Sequence, residues 1–168
     1  MGNYMSQFKL LWKNYPDEDP CDATKENGEK LFPNQCAIRV SHALKKSGVS
    51  FDSFPKKRKC WVHNGEEHIL AAKELADWLE KGTVHFVSKP QNITGSNWRD
   101  SVLNKTGIIC FEDYYAPSGG SGGDHIDLWD GSSLTGFGSW LRTRFSIVVP
   151  GFWSDFRQSK QIRFFEVK

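Results

Sequence analysis

Cys36 is the residue whose position in the sequence best fits nucleophilic chemistry. It begins a stretch with helical periodicity that runs to Lys46, and Gly48 stands where such a helix would end. A cysteine in the first turn of a helix lies at the positive end of the helix dipole, which favours thiolate over thiol. Its backbone N–H can also stabilise the oxyanion of a tetrahedral intermediate. The pattern therefore predicts an activated thiol at Cys36.

A thiolate that attacks an acyl carbon needs a partner that accepts and later donates a proton. Among five histidines, His125 directly follows a glycine-rich segment, residues 117–123, at the head of a predicted strand. A third group normally orients the imidazole. Alternation along a strand puts Asp127 on the face of His125, whereas Asp130 falls at the following turn with the opposite parity. We expect Asp127 in this role, with Asp130 as the alternative.

The other cysteines and histidines have no comparable surroundings. Cys110 lies in an apolar segment and is predicted to be part of the core. Cys21 and Cys60 lie in polar or irregular segments, and the sequence leaves open whether they pair in a disulfide. We expect no zinc ribbon, because the four cysteines form no C-x-x-C pair and no short Cys/His ligand spacing is assigned to them. We expect no other metal site and no cofactor, because thiol chemistry needs neither. Structural roles are expected for the remaining histidines, His42, His63, His68 and His85.

The elements that must position these groups follow a simple order. Helical patterns cover residues 6–15, 36–46, 66–81 and, more weakly, 97–103, with Asn34 as the expected N-cap of the second helix. Strand patterns follow over residues 107–114, 125–130, 145–149 and 161–167, and residues 60–62 could add a short strand. Helices followed by antiparallel strands predict an α+β domain.

Composition narrows the class of protein. A chain of 168 residues with 38% apolar and 25% charged residues predicts one globular domain over residues 1–168. The net charge of +2 lacks the basic excess of a nucleic-acid-binding protein. No apolar run approaches the roughly 20 residues that span a bilayer, and the N-terminus lacks the pattern of a secretory signal peptide. We therefore expect neither nucleic-acid binding nor membrane insertion.

Two motifs resemble those of a known family. Residues 34–41, N-Q-C-A-I-R-V-S, resemble the nucleophile motif of the fourth family of type VI secretion amidase effectors. Residues 125–131, H-I-D-L-W-D-G, resemble that family's histidine strand, and residues 162–167, I-R-F-F-E-V, resemble its last strand. The resemblance covers most of the chain. It implies a papain-like (NlpC-like) cysteine peptidase fold, with N-terminal helices packed on an antiparallel sheet.

The resemblance also implies an activity and a setting. The expected reaction is cleavage of the peptidoglycan stem peptide between γ-D-glutamate and meso-diaminopimelate, through a thioester on Cys36 with His125 as the base. Asn34, Gln35, Gly123 and Asp124 are the expected substrate contacts. The expected partners are a cognate immunity protein and the type VI secretion apparatus. The protein would be made in the cytoplasm, secreted without a signal peptide and active in the periplasm of target bacteria.

Two other functions fit the same residues. One is a thiol deamidase or acyltransferase, because the first half-reaction is shared and only the acceptor differs. The other is a binding module for cell wall or protein that performs no catalysis, with Cys36 in a disulfide and the aromatic residues as a recognition surface. The products formed from peptidoglycan and the state of the Cys36 thiol distinguish these possibilities.

Overall fold

Helices precede strands in the folded chain, as the sequence predicts. The computed structural model describes residues 5–63, 67–94, 97–114, 123–135 and 156–168. The predicted strand at residues 145–149 and residues 117–122 of the glycine-rich segment lie outside these ranges. The elements in chain order are helix α1 (Gln7–Lys13), helix α2 (Cys36–Lys46), a short 3-10 helix (Lys56–Arg58), helix α3 (Ala72–Glu80), strand β1 (Gln91–Ile93), helix α4 (Trp98–Val102), strand β2 (Gly107–Tyr114), strand β3 (Gly123–Trp129) and strand β4 (Gln161–Glu166).

The described strands form one antiparallel sheet in the order β1-β4-β2-β3. β2 is central and pairs with both β3 and β4. In the register between β2 and β3, Phe111 lies opposite His125 and Ile109 lies opposite Asp127. Side chains alternate along a strand. The two candidate catalytic residues of β3 therefore point to the same face of the sheet.

Both faces of the sheet are covered, and each has its own apolar core. Helices α1, α2 and α3 pack on one face, and the core there includes Leu11, Val40, Leu44, Leu75, Leu79, Ile108, Ile126, Leu128 and Phe165. The opposite face packs against α4 and the segment that contains Phe156, with a core that includes Trp98, Val102, Ile109, Phe111, Trp129, Ile162 and Phe164. Burying one such side chain is worth about 1.5–3 kcal/mol. The fold is thus α+β, with N-terminal helices on an antiparallel sheet, as predicted.

Three details differ from the sequence prediction. Helix α3 begins at Ala72 and not near residue 66, because Ile69 is paired with Lys59 in an isolated β-bridge and the backbone N–H of Cys60 donates to the His68 carbonyl at 2.7 Å. That same bridge replaces the short strand expected at residues 60–62. Strand β1 was not predicted, since its three residues show too little alternation to be recognised.

Residues 58–60 and 68–70 thus run side by side and antiparallel, joined by the bridge between Lys59 and Ile69. We call this short pair the 59–69 ribbon. Within the described ranges, every helix is too short or too polar to cross a lipid bilayer.

Candidate active site

Cys36 is the first residue of α2, as the sequence predicts, and its side chain is buried at the edge of the core below α1–α3. The first N–H groups of a helix have no acceptors within the helix, and the dipole makes this end positive. A thiolate or an oxyanion at this point is therefore stabilised by the backbone itself.

Gln35, and not Asn34, is the N-cap of α2. Asn34 is exposed, and the cap makes no side-chain hydrogen bond to the helix. Instead, the Gln35 amide nitrogen is fully buried and donates to the carbonyl oxygens of Cys21 at 2.8 Å and Phe32 at 2.6 Å. The prediction for Asn34 fails because these two bonds anchor the chain one residue later. A buried amide held in this way orients the start of α2, which argues against the expected substrate contact of Gln35.

His125 lies on β3 with its ring packed among aromatic side chains. Its ring stacks on Phe156 with centroids 5.5 Å apart and an interplanar angle of 24°, and on Phe111 at 6.4 Å and 26°. Phe111 and Phe156 also stack on each other at 4.1 Å. This packing fixes the plane of the imidazole, so that its two nitrogens point in defined directions.

Asp127 lies beside His125 on the same strand face. Its Oδ2 is 3.6 Å from Nε2 of His125, and the residue is completely buried. The other carboxylate oxygen accepts hydrogen bonds from the backbone N–H of Leu128 at 2.8 Å and from the hydroxyl of Thr135. A buried carboxylate needs such donors, because an unpartnered charge in the interior costs several kcal/mol.

The electrostatic surroundings of His125 favour its protonated form. Burial lowers the pKa of the imidazole, but hydrogen bonds to Asp127 and Cys36 and the charges of both groups outweigh burial and raise the pKa to about 10. The same influences link the thiol, the imidazole and the carboxylate into one constellation. The ring is therefore an imidazolium at neutral pH, ready to give up a proton.

Asp130, the alternative third residue, is used elsewhere. Its carboxylate accepts hydrogen bonds from the backbone N–H groups and hydroxyls of Ser132 and Ser133, at 2.7–3.0 Å. Burial raises the pKa of Asp130, but these donors outweigh it and hold the pKa below its usual value. The structure thus brings Asp127 to His125 and leaves Asp130 to close the turn after β3.

Gly123 and Asp124 begin β3 and are half-buried. Gly123 pairs with Tyr114 at the end of β2. The Asp124 carboxylate accepts from the backbone N–H of Asp113, at 3.1 Å, where the strand register shifts and Asp113 has a positive φ of 49°. Both residues lie two positions or fewer from His125, close enough to border a substrate.

Two residues that the sequence analysis passed over also contact Asp127. The Thr135 hydroxyl donates to the Asp127 carboxylate, and the phenol of Tyr15 lies close enough to feel the charge of that carboxylate. Burial and the charge of Asp127 raise the pKa of Tyr15 well above its usual value, so the phenol stays neutral and can donate. Tyr15 follows α1, and Thr135 lies eight residues beyond Asp127. Neither has a local sequence signal, because only the fold brings them to the carboxylate.

The remaining thiols are all free and buried. Cys110 is part of the core, as predicted, and burial raises the pKa of its thiol well above the usual value. The Cys21 and Cys60 sulfurs lie 3.7 Å apart, whereas a disulfide bond is about 2.05 Å long. The disulfide that the sequence left open is therefore not formed here.

Cys36 at the start of a helix and His125 on a strand of an antiparallel sheet are typical of one class of protein fold. The chain has the α+β fold of papain-type (NlpC-like) cysteine peptidases. Residues 32–165 match the family described as "Type VI secretion system (T6SS), amidase effector protein 4". The chain belongs to this family of amidase effectors. No curated protein matches the sequence at a significant level.

Solved structures with the same fold come from this family. The type VI effector Tae4 from Enterobacter cloacae, in its effector-immunity complex Tae4-Tai4, is 18% identical with a TM-score of 0.59, over 98% of this chain and 99% of that one. Tae4 from Salmonella typhimurium, in complex with the immunity protein Tai4 from Enterobacter cloacae, is 17% identical with a TM-score of 0.59, over 97% and 99%. Tae4 from Enterobacter cloacae alone gives 17% and 0.57, over 100% of both chains.

Proposed function

We propose that the chain is a peptidoglycan DL-endopeptidase that cleaves the bond between γ-D-glutamate and meso-diaminopimelate of the stem peptide. The observation that carries this proposal is the position of His125, whose Nε2 lies 3.6 Å from the Asp127 carboxylate and whose pKa is raised by both Asp127 and Cys36, the first residue of α2. Membership in the amidase effector family supports an amide as the substrate. Cys36 is the nucleophile, His125 the general acid and base, and Asp127 the group that orients His125.

In the first half-reaction, the Cys36 sulfur attacks the carbonyl carbon of the scissile amide. A C–S bond forms, and the carbonyl electrons move to oxygen, where the backbone N–H of Cys36 and the positive end of α2 stabilise the oxyanion. The oxyanion then collapses and the C–N bond breaks. The imidazolium of His125 gives its proton to the leaving nitrogen, and a thioester remains on Cys36.

In the second half-reaction, neutral His125 takes a proton from a water molecule that attacks the thioester. The C–S bond breaks and the product is released with a free γ-carboxyl group on D-glutamate. The Cys36 thiolate and the His125 imidazolium are regenerated. Because Asp127 faces Nε2, we assign the proton transfers to Nδ1 of His125. Asp127 stabilises the charge on the ring throughout and holds its orientation.

We assign substrate contacts to Asn34, Gly123 and Asp124. Asn34 is exposed directly ahead of the nucleophile's helix, and the two β3 residues precede His125. The buried Gln35 supports the site from behind through its bonds to Cys21 and Phe32.

The proposed biological role is that of an antibacterial toxin delivered by the type VI secretion apparatus. It would be made in the cytoplasm, leave without a signal peptide and act in the periplasm of target bacteria. Two of the similar structures are complexes of a Tae4 effector with the immunity protein Tai4. By analogy, a cognate immunity protein would bind this chain and block the cleft at Cys36, which protects the producing cell.

The decisive experiment digests purified peptidoglycan with the full chain and identifies the fragments by mass spectrometry. We expect fragments with a free γ-D-glutamyl carboxyl group and a free diaminopimelate amine, each cut adding one water. The Cys36→Ala variant should yield no such fragments while keeping its circular dichroism spectrum. Loss of ammonia without chain cleavage would indicate a deamidase, and transfer to an added amine an acyltransferase. Binding to peptidoglycan with no change in its mass would indicate a binding module.

A further inference from the structure

A second group of thiols and imidazoles lies apart from Cys36 and His125. Cys21, Cys60, His63 and His68 each offer one ligand atom, and these four atoms all lie within 4.8 Å of one another. They come from three stretches of the chain. The proposed reaction uses none of them.

The distances among Cys21, Cys60 and His63 match those of a tetrahedral zinc site, and the ligand atom of His68 lies within 4.8 Å of all three. With Zn–S near 2.3 Å and Zn–N near 2.1 Å, two sulfurs on one ion lie about 3.8 Å apart, and a sulfur and a nitrogen about 3.6 Å. The Cys21 and Cys60 sulfurs are 3.7 Å apart, and Nδ1 of His63 is 3.5 Å from one and 3.6 Å from the other. We propose that Cys21, Cys60, His63 and His68 bind one zinc ion as a closed structural site.

Backbone pairing holds two of these ligands, Cys60 and His68, next to each other. In the 59–69 ribbon, the bridge between Lys59 and Ile69 and the bond from the Cys60 N–H to the His68 carbonyl put Cys60 and His68 on neighbouring strands. His63 follows Cys60 by three positions, and its ring lies 5.7 Å from that of His68. Because these ligands are already arranged, little chain entropy is lost when the ion binds.

The surroundings favour a structural ion over a catalytic one. Cys21 is completely buried, Cys60 and His68 nearly so, and Phe32 and Ile38 pack against the two thiols. Four protein ligands fill a tetrahedral ion, which leaves no position for water or substrate. Two sulfurs and two imidazole nitrogens in tetrahedral geometry favour zinc over magnesium or calcium, which prefer oxygen ligands.

The proposed zinc site is also connected to helix α2 through a hydrogen bond. Zinc would tie the segment around Cys21 to the 59–69 ribbon. The carbonyl of Cys21 accepts the amide of Gln35, which precedes Cys36 directly. Zinc therefore stabilises the polypeptide that fixes where α2 begins. This last consequence rests on the proposed function, whereas zinc binding does not.

The test measures the metal content of the full chain, purified in the presence of zinc and reductant and then desalted. Inductively coupled plasma mass spectrometry should find one zinc per chain in the wild type. Cys21→Ser and Cys60→Ser should retain a tenth of that amount or less. Cys36→Ala is the matched control, because it removes a buried thiol outside the group, and it should keep the full equivalent even if its hydrolytic activity is lost.

A second measurement needs no variant to fold. The metal-stripped wild type is titrated with cobalt, whose visible bands are intense in tetrahedral sites and which gives a thiolate charge-transfer band in the near ultraviolet. We expect saturation at one equivalent and displacement by zinc. The proposal is overturned if the wild type holds no zinc and shows no thiolate band with cobalt. It is equally overturned if Cys21 and Cys60 form a disulfide in the zinc-supplied protein, or if zinc survives the loss of Cys21.

Discussion

Two regions of this molecule combine cysteine with histidine, and they are built for different chemistry. At the start of α2, one thiol meets one imidazole, and Asp127 stands behind the ring. Beside the 59–69 ribbon, two thiols and two imidazoles lie with their ligand atoms within 4.8 Å of one another. The first arrangement pairs a sulfur with a proton carrier, and the second groups four ligands of the kind that bind zinc.

The neighbours of a cysteine decide whether it acts as a nucleophile or as a metal ligand. A thiolate opposite an imidazolium at a helix start stays available to an electrophile. A thiolate on zinc has its charge neutralised by the ion and is held in a closed shell. We therefore expect a substitution at Cys36 to leave zinc binding intact and a substitution at Cys21 to leave hydrolysis largely intact.

The largest expected effect is the loss of hydrolysis in Cys36→Ala. Removing the nucleophile of a catalytic unit should lower kcat/KM for a stem-peptide substrate by at least about 10⁴-fold. Cys21→Ser, in contrast, should lose zinc and retain measurable hydrolysis. If both variants lost hydrolysis equally while staying folded, the separation between the two regions would be wrong.

The next effect distinguishes the two aspartates. Asp127→Asn keeps the shape of the side chain but removes the charge behind His125, and it should lower kcat by roughly 10²-fold to 10⁴-fold. Asp130→Asn is the matched control, since Asn can keep most of the bonds to Ser132 and Ser133, and its kcat should stay within about threefold of the wild type. A larger loss in the control than in Asp127→Asn would reverse the assignment.

The pH dependence tests the dyad directly. Burial lowers the pKa of His125, but Asp127 and Cys36 raise it to about 10, above the value of 6.5 expected without these influences. A group with a raised pKa stabilises the fold fully below its unfolded pKa and loses that contribution as the pH rises through its folded pKa. Hydrolysis should likewise fall as the pH rises through about 10, since protonation of the leaving amine needs the imidazolium.

Nuclear magnetic resonance of the His125 ring measures this pKa. In Cys36→Ala, the imidazole loses a hydrogen bond and a charge, so its pKa should fall. Metal-stripped protein is the control, because removing zinc changes neither neighbour of His125. A ring that titrates near 6.5 in the wild type would contradict the proposed ion pair.

Zinc removal should have a moderate effect on stability and a smaller one on catalysis. A ligand that binds only the folded state raises its stability, so chelation should lower the melting temperature by about 5 °C or more. Hydrolysis measured well below that temperature should fall by less than about tenfold, as the Gln35 bonds remain. Adding back one equivalent of zinc should restore the melting temperature, and failure to restore it would point to damage other than metal loss.

The smallest expected effect concerns the hydroxyls that hold Asp127. Thr135→Val removes the hydroxyl that donates to the carboxylate, and Tyr15→Phe removes the phenolic hydroxyl near it. Each should cost about 1 kcal/mol of folding free energy, measured by urea unfolding. Their kcat should fall several-fold, because the carboxylate then holds His125 less firmly. An unchanged kcat with lower stability would limit both residues to a role in folding.

Much of the site could be predicted because its signals are local. The helix that begins at Cys36 follows from apolar spacing and a terminating glycine, and the strand of His125 and Asp127 follows from alternation. Choosing Asp127 over Asp130 needed only the parity of side chains along one strand. The early start expected for α3 was wrong, because residues 68–70 continue its apolar spacing but pair with residues 58–60.

The group around Cys21 was missed although part of it has a local signal. Cys60 and His63 are separated by two residues, which is a short Cys/His ligand spacing of the kind found in zinc sites, so the expectation that the cysteines have no such spacing was wrong. Cys21 lies 39 positions before Cys60, and His68 reaches the group through the ribbon. Sequence spacing alone does not predict such long-range contacts.

Local patterns in the chain were enough to predict the fold class, the helix with Cys36 at its start and the strand that carries His125 and Asp127. These features depend on periodicity, caps and alternation, which act over a few neighbouring residues. Two other features depend on tertiary packing, namely the approach of Tyr15 to Asp127 and the grouping of two thiols with two imidazoles. Both bring together residues far apart in the chain, and both depend on how the helices and the sheet pack.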